Sequence, residues 1–177
     1  GDVTELQFDR TDPFSISAWF KTTVISGFPM IVAKFDVTPP NPGYELYMRG
    51  AGGGIGFDFI ETITTSQLTV TSAGGWNDGA WHHVVLTWDG DVAGGSDGVE
   101  IYVDSILQSL LVNTDNLTGP TTTTTPFQIG ARDGADLPWN GNLDDVAIYD
   151  KVLSSVEVAT IYNGTTTAPT DGYSPLT

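Results

Sequence analysis

The chain has 177 residues, 40% hydrophobic and 11% aromatic, which fits one domain with a core of its own. Six basic residues against 22 acidic ones leave a formal charge of −16, a surface that repels phosphate backbones and anionic bilayers and so argues against nucleic-acid partners. There is no cysteine, which excludes disulfides, thiolate chemistry and cysteine-based zinc sites, and no apolar run approaches the ~20 residues of a membrane span.

In chain order, Gly1-Asp2 opens into polar sequence without a signal peptide, so a processed product or an excised domain is expected. Phe14–Phe20 alternates Phe14, Ile16, Ala18 and Phe20 on one face with Ser15, Ser17 and Trp19 on the other, the period of a half-buried strand. Pro29–Phe35, Tyr44–Arg49, Gly54–Ile60 and Gln67–Thr71 read as further strands divided by Gly, Pro, Asn and Asp. Trp81–Trp88 is apolar on both faces, which predicts a central strand and places Trp19, Trp81 and Trp88 in the core. Val99–Val103 alternates cleanly; Ser105–Val112, Pro126–Ala131 and Gly141–Tyr149 follow. Thr121–Thr125 predicts an edge strand or a loop. One short helix closes the pattern, with Ser154 and Glu157 at capping-box spacing and Gly164 as its C-terminal stop. About ten to twelve strands and one short helix predict an antiparallel two-sheet β-sandwich over residues 1–164, with a Thr/Pro-rich arm or linker over 165–177.

Seventeen of the 22 acids are Asp, the residue of turns and also a short calcium ligand. Asp144 and Asp145 are the best metal candidates, although neighbours on a strand point to opposite faces, so one side chain at most reaches inward. The same alternation separates His82 from His83, one packing under a sheet and one facing a groove, and prevents them from chelating one metal. The acidic loop Asp89–Asp97 lacks EF-hand spacing and reads as a hairpin tip. Sugar recognition needs aromatic faces beside polar groups; Trp76, Asn77, Asp78, Trp139 and Asn140 lie in loop sequence and are the candidates, with an apolar plug as the alternative for both tryptophans. Asn116 and Asn163 head N-x-T triplets in loops.

Four segments in order carry a family likeness: Phe14-Ser-Ile-Ser-Ala-Trp-Phe-Lys21, Asp78-Gly-Ala-Trp-His-His-Val84, Val99-Glu-Ile-Tyr-Val-Asp104, and Gly141-Asn-Leu-Asp-Asp-Val-Ala-Ile-Tyr149 followed by the leucine-serine helix. Together they resemble laminin-G-like domains with the concanavalin A-type jelly roll. The resemblance implies a jelly roll whose members mostly bind or adhere, and a structural Ca²⁺ between the closing strand and the chain's opening, with Asp2 joining Asp144 and Asp145. It also implies an opening strand beside the closing one, of which Gly1-Asp2-Val3 matches only the end, so a sheet edge is expected to need covering. The glucanases of the superfamily use an E-x-D-x-x-E strand, and none of the five Glu residues begins one.

The expected function is therefore a non-catalytic, calcium-stabilised extracellular or cell-surface module, secreted or virion-associated, for glycans or surface proteins. The alternative is a self-assembling structural subunit of a layer, fibre or virion-associated array, a homo-oligomer completed by strand donation between copies.

Overall fold

A computed structural model describes residues 3–91 and 94–164. Among the described residues eleven strands are formed: β1 (Phe14–Lys21), β2 (Met30–Phe35), β3 (Gly43–Arg49), β4 (Gly54–Thr62), β5 (Ser66–Ser72), β6 (His82–Trp88), β7 (Val99–Val103), β8 (Ile106–Leu107), β9 (Leu110–Asp115), β10 (Gln128–Ile129) and β11 (Asn142–Tyr149). One helix follows, α1 (Ser155–Tyr162). They build a five-stranded sheet in the order β11-β1-β6-β7-β8 and a six-stranded sheet in the order β10-β2-β3-β4-β5-β9. Neighbouring strands pair antiparallel throughout. The sandwich expected from the sequence is the observed architecture. No helix among the described residues is long and apolar enough to cross a membrane.

Alternation in β1 sends Phe14, Ile16, Ala18 and Phe20 into the space between the sheets, where all four are fully buried. They meet Leu46, Met48, Ile55, Phe57 and Phe59 of the facing sheet. Phe8 stacks on Phe14 at 4.4 Å, and Phe59 meets Trp88 edge-on at 5.6 Å. Each polar tip in this aromatic core finds a carbonyl: Tyr44 donates to Leu6 at 3.0 Å and Trp88 to Arg10 at 2.8 Å. The threonine run forms a loop rather than a strand. Thr121 is buried in it and donates its hydroxyl to the Phe8 carbonyl at 3.1 Å.

The outer face of the five-stranded sheet carries α1. The capping box is present, with Glu157 receiving the Ser154 amide at 2.8 Å and Ser154 receiving that of Glu157 at 3.3 Å. Ser15 pins the approach to the helix: its hydroxyl donates to the Lys151 carbonyl at 2.7 Å and accepts the Leu153 amide at 3.0 Å. Leu153 and Val158 are then buried on Val85, Tyr102 and Tyr149. Gly164, with φ +68°, ends the helix as its spacing predicts.

On its far side the five-stranded sheet ends, among the described residues, at β11. Gly141, with φ +147°, precedes that strand so close to β1 that a Cβ would collide with the Lys21 carbonyl. The Thr/Pro-rich arm over 165–177 and Asp2 lie outside the described residues.

Candidate functional site

The alternation that buries Phe20 puts Trp19 on the outer face, so Trp19 is half-buried beside α1 rather than in the core. Register sets its neighbours: Trp19 lies opposite His83 of β6 on one side and Asp144 of β11 on the other. Tyr162 of α1 stacks over the Trp19 ring at 5.6 Å with an interplanar angle of 20°, and His83 lies tilted against it at 5.1 Å. Trp81, two residues before His83, precedes the strand and is 42% exposed, which corrects its expected core position. Of the three tryptophans predicted to be core, only Trp88 is.

Trp19, Trp81, Asp144 and Asp145 line an open groove of about 330 Å³. Two adjacent carboxylates on one side of a strand contradict simple alternation, and the cause is a β-bulge. The register between β1 and β11 shifts between Ser17, opposite Ala147, and Trp19, opposite Asp144. Asp145 takes φ +46° there, a left-handed conformation that Asp adopts more readily than most non-glycine residues because its short polar side chain can bond locally. Asp144 supports the bulge by accepting the Asp145 amide at 2.9 Å. Both residues are exposed and line the groove, so neither side chain of the pair reaches inward, where at most one was expected to.

His83 is 1% exposed beneath this region, and its Nδ1 has no partner among the described residues. Burial pushes its pKa down to about 4, so the imidazole is neutral at pH 7. His82 faces the other way. Its Nδ1 lies 2.7 Å from Asp104 and its Nε2 3.1 Å from Asp78. Burial alone lowers its pKa, but the two carboxylates outweigh that and raise it. The two rings face opposite sides of β6, as alternation predicts, but both are buried and neither lines the groove.

The residues predicted as ligand contacts sit elsewhere. Trp76 and Trp139 both pack against the core. Trp76 meets His82 at 5.2 Å, His82 meets Phe20 at 5.7 Å, and Phe20 meets Trp139 at 6.0 Å, so the two loops close one end of the sandwich as a line of rings. The Trp76 indole donates to Ala73 at 3.0 Å. Asn77 is spent on the Val24 and Gly50 carbonyls, at 2.7 and 3.2 Å. Asp78 accepts the Ala80 amide at 2.7 Å as well as holding His82, and the Asn140 carbonyl accepts from Thr22 at 2.6 Å. This is the apolar plug, with polar neighbours that serve the loops.

The described residues bring two carboxylates to the place where calcium was expected. Among them no group of three or more His, Cys, Asp or Glu side chains could hold a metal ion. Asp144 and Asp145 supply two carboxylates, whereas Ca²⁺ takes six to eight oxygens. The third expected ligand, Asp2, lies outside the described residues.

A second titratable cluster lies on the outer face of the six-stranded sheet. Arg132 grips Glu45 through both carboxylate oxygens, at 3.2 and 3.0 Å, and binds Asp136 at 3.0 Å. Burial pushes the Glu45 carboxyl up to about 7 and that of its cross-strand partner Asp58 up to about 6. The loop that carries Arg132 covers this cluster, with Leu137 packed on Met30, Ala33 and Phe35.

Residues 2–159 match the family model described as the concanavalin A-like lectin/glucanases superfamily. No curated protein matches the chain. Among solved structures it is similar to the CBM40 of Ruminococcus gnavus IT-sialidase bound to alpha2,3 sialyllactose, at 17% identity over 86% of this chain and 83% of that one, with a TM-score of 0.64. A SAP-like pentraxin from Limulus polyphemus matches at 16% identity, over 90% and 73% of the two chains, TM-score 0.57. The receptor-binding domain of botulinum neurotoxin C/D mosaic serotype matches at 19% identity, over 88% of this chain and 37% of that one, TM-score 0.61. At these identities the likeness establishes the fold, a jelly roll.

Proposed function

The chain belongs to the concanavalin A-like lectin/glucanases superfamily, and from that premise we propose that it is a glycan-binding module whose ligand lies in the Trp19–Trp81 groove. The single observation that carries this reading is the groove itself: two indoles beside two carboxylates on the open face of a rigid sheet. A pyranose can lay its C–H face on an indole while carboxylates hold its hydroxyls. Trp81 is the platform, and Trp19 is locked by Tyr162 and His83 and shapes the floor. A similar fold holding sialyllactose supports a sugar ligand in general and does not choose the sugar.

In this reading the module acts by binding and not by catalysis, and it works in a secreted or cell-surface setting where glycans are met. Calcium belongs to the reading only together with ligands such as Asp2, and calorimetric titration with CaCl₂ tests it directly. The reading as a whole is tested on a glycan array followed by calorimetry. Hits whose heat disappears in Trp81→Ala support it; binding that survives Trp81→Ala and is lost in Trp76→Ala would move the site to the loop plug.

A second reading, assembly of copies by strand pairing, is favoured by one observation: β11 closes its sheet, among the described residues, with a partner on one side only. Light scattering at raised concentration tests it. A mass that stays at one chain contradicts it.

A further inference from the structure

The groove has a sign as well as a shape. None of the six basic residues lines it. Four are engaged elsewhere: Arg10 with Asp91, Lys34 with the Thr125 carbonyl at 2.8 Å, Arg132 with Glu45 and Asp136, and Lys151 with Glu157 at 2.6 Å. Arg49 ends β3 in the other sheet. Lys21 is the one basic residue near the groove, two positions beyond Trp19 on the same strand face and opposite Asn142. Among the described residues neither Asp144 nor Asp145 forms an ion pair. His83 beneath is neutral at pH 7 and adds no positive charge. The face of the Trp81 indole is the negative part of the ring's quadrupole, which attracts cations as the carboxylates do. A sialic-acid carboxylate would meet two like charges here, inside the field of a chain with a formal charge of −16.

We infer that the Trp19–Trp81 groove takes a hexosamine with a free amino group, the ammonium held by Asp144 and Asp145 and the sugar ring laid on Trp81. The inference rests on the glycan reading of this groove and names the class of sugar. It separates this chain from the sialyllactose-bound relative, although the two share a fold.

Calorimetry at pH 6.5 and low salt, where the amine is protonated, compares three probes: a glucosamine trimer, its fully N-acetylated counterpart and α2,3-sialyllactose. The free-amine trimer is expected to bind about tenfold tighter than the acetylated one, the scale of two exposed ion pairs acting together, and sialyllactose is expected to give no heat. Raising the salt to 0.5 M should remove most of the difference. Asp144→Asn with Asp145→Asn, a pair that keeps the local acceptor and the left-handed tolerance, should bring the two trimers level. Glu5→Gln with Asp97→Asn removes the same charge from exposed positions away from the groove and should change nothing. If that remote pair weakens amine binding as much as the groove pair, the attraction is diffuse and the inference is overturned. If the acetylated trimer binds as tightly as the free amine and both are lost in Trp81→Ala, the inference fails while the glycan reading stands. If no trimer and no sialyllactose binds at millimolar concentration, both fail.

Discussion

The molecule uses the same set of aromatic parts twice, on opposite sides of one sheet. At the inner rim Trp76, His82, Phe20 and Trp139 form a line of rings that plugs the sandwich. On the outer face Trp19, His83 and Tyr162 form a second cluster, with Trp81 across an open groove from Asp144 and Asp145. The two sets are neighbours in sequence: Trp19 adjoins Phe20, and His82 adjoins His83. One step along a strand turns a core residue into a candidate ligand contact. Loop position therefore says less about function than strand parity does, because loop tryptophans can fold back over an open end and strand tryptophans can face out.

The largest effect that separates the two sides is on stability. Phe20→Ala should cost about 4 kcal/mol in urea denaturation, since Phe20 is wholly buried, while its neighbour Trp19→Ala should cost about half as much or less. Equal losses would mean that the outer cluster is as structural as the rim.

The histidines offer a comparison by pH. His83 has a folded pKa near 4, below its ordinary value, so the unfolded chain binds the proton first and stability from this group falls as pH drops from about 6.5 towards 4. His82 has a raised folded pKa, so its contribution is present at low pH and is lost as pH rises through that value. Glu45 and Asp58, raised by burial, also favour the acid side and would mask a raw profile. The difference between wild type and His83→Phe cancels them. It should shrink by roughly 2 kcal/mol between pH 7 and 4.5. A flat difference would contradict a neutral, buried His83.

The bulge at Asp145 is the next smaller lever. Asp145→Val forces a β-branched residue to φ +46° and should cost about 1–2 kcal/mol, while Asp145→Gly should stay within about 0.5 kcal/mol of wild type. A neutral Asp145→Val would mean that the bulge relaxes and does not fix the carboxylates. Smallest of all, Trp81→Ala should leave stability within about 1 kcal/mol while abolishing ligand binding, because the residue lies outside the core and is 42% exposed.

Much of the fold was legible from periodicity and turn chemistry. Alternation in Phe14–Lys21 and Val99–Val103, the Ser154–Glu157 box and Gly164 predicted elements that are all present. The site was less legible, for identifiable reasons. Trp81–Trp88 carries apolar residues on both faces, so parity gave no way to tell the buried Trp88 from the exposed Trp81. Two adjacent aspartates imply opposite faces only while the register is regular, and a single left-handed residue undoes that. A signal was available: Asp is among the few residues that tolerate such a conformation, so an Asp-Asp step inside a strand is a place to expect a bulge. The Trp76 and Trp139 loops carried the composition of a sugar site, but Trp76 and Asn77 donate to carbonyls, Asp78 holds His82, and the Trp139 indole N–H is buried.

The central claim is that the outer pair of tryptophans, and not the rim pair, meets the ligand. The chain has five tryptophans, and each indole N–H gives its own NMR signal. Titration with the tightest-binding glycan should move the signals of Trp19 and Trp81 and leave those of Trp76, Trp88 and Trp139 in place. Movement of Trp76 and Trp139 with Trp19 and Trp81 unchanged would contradict the account.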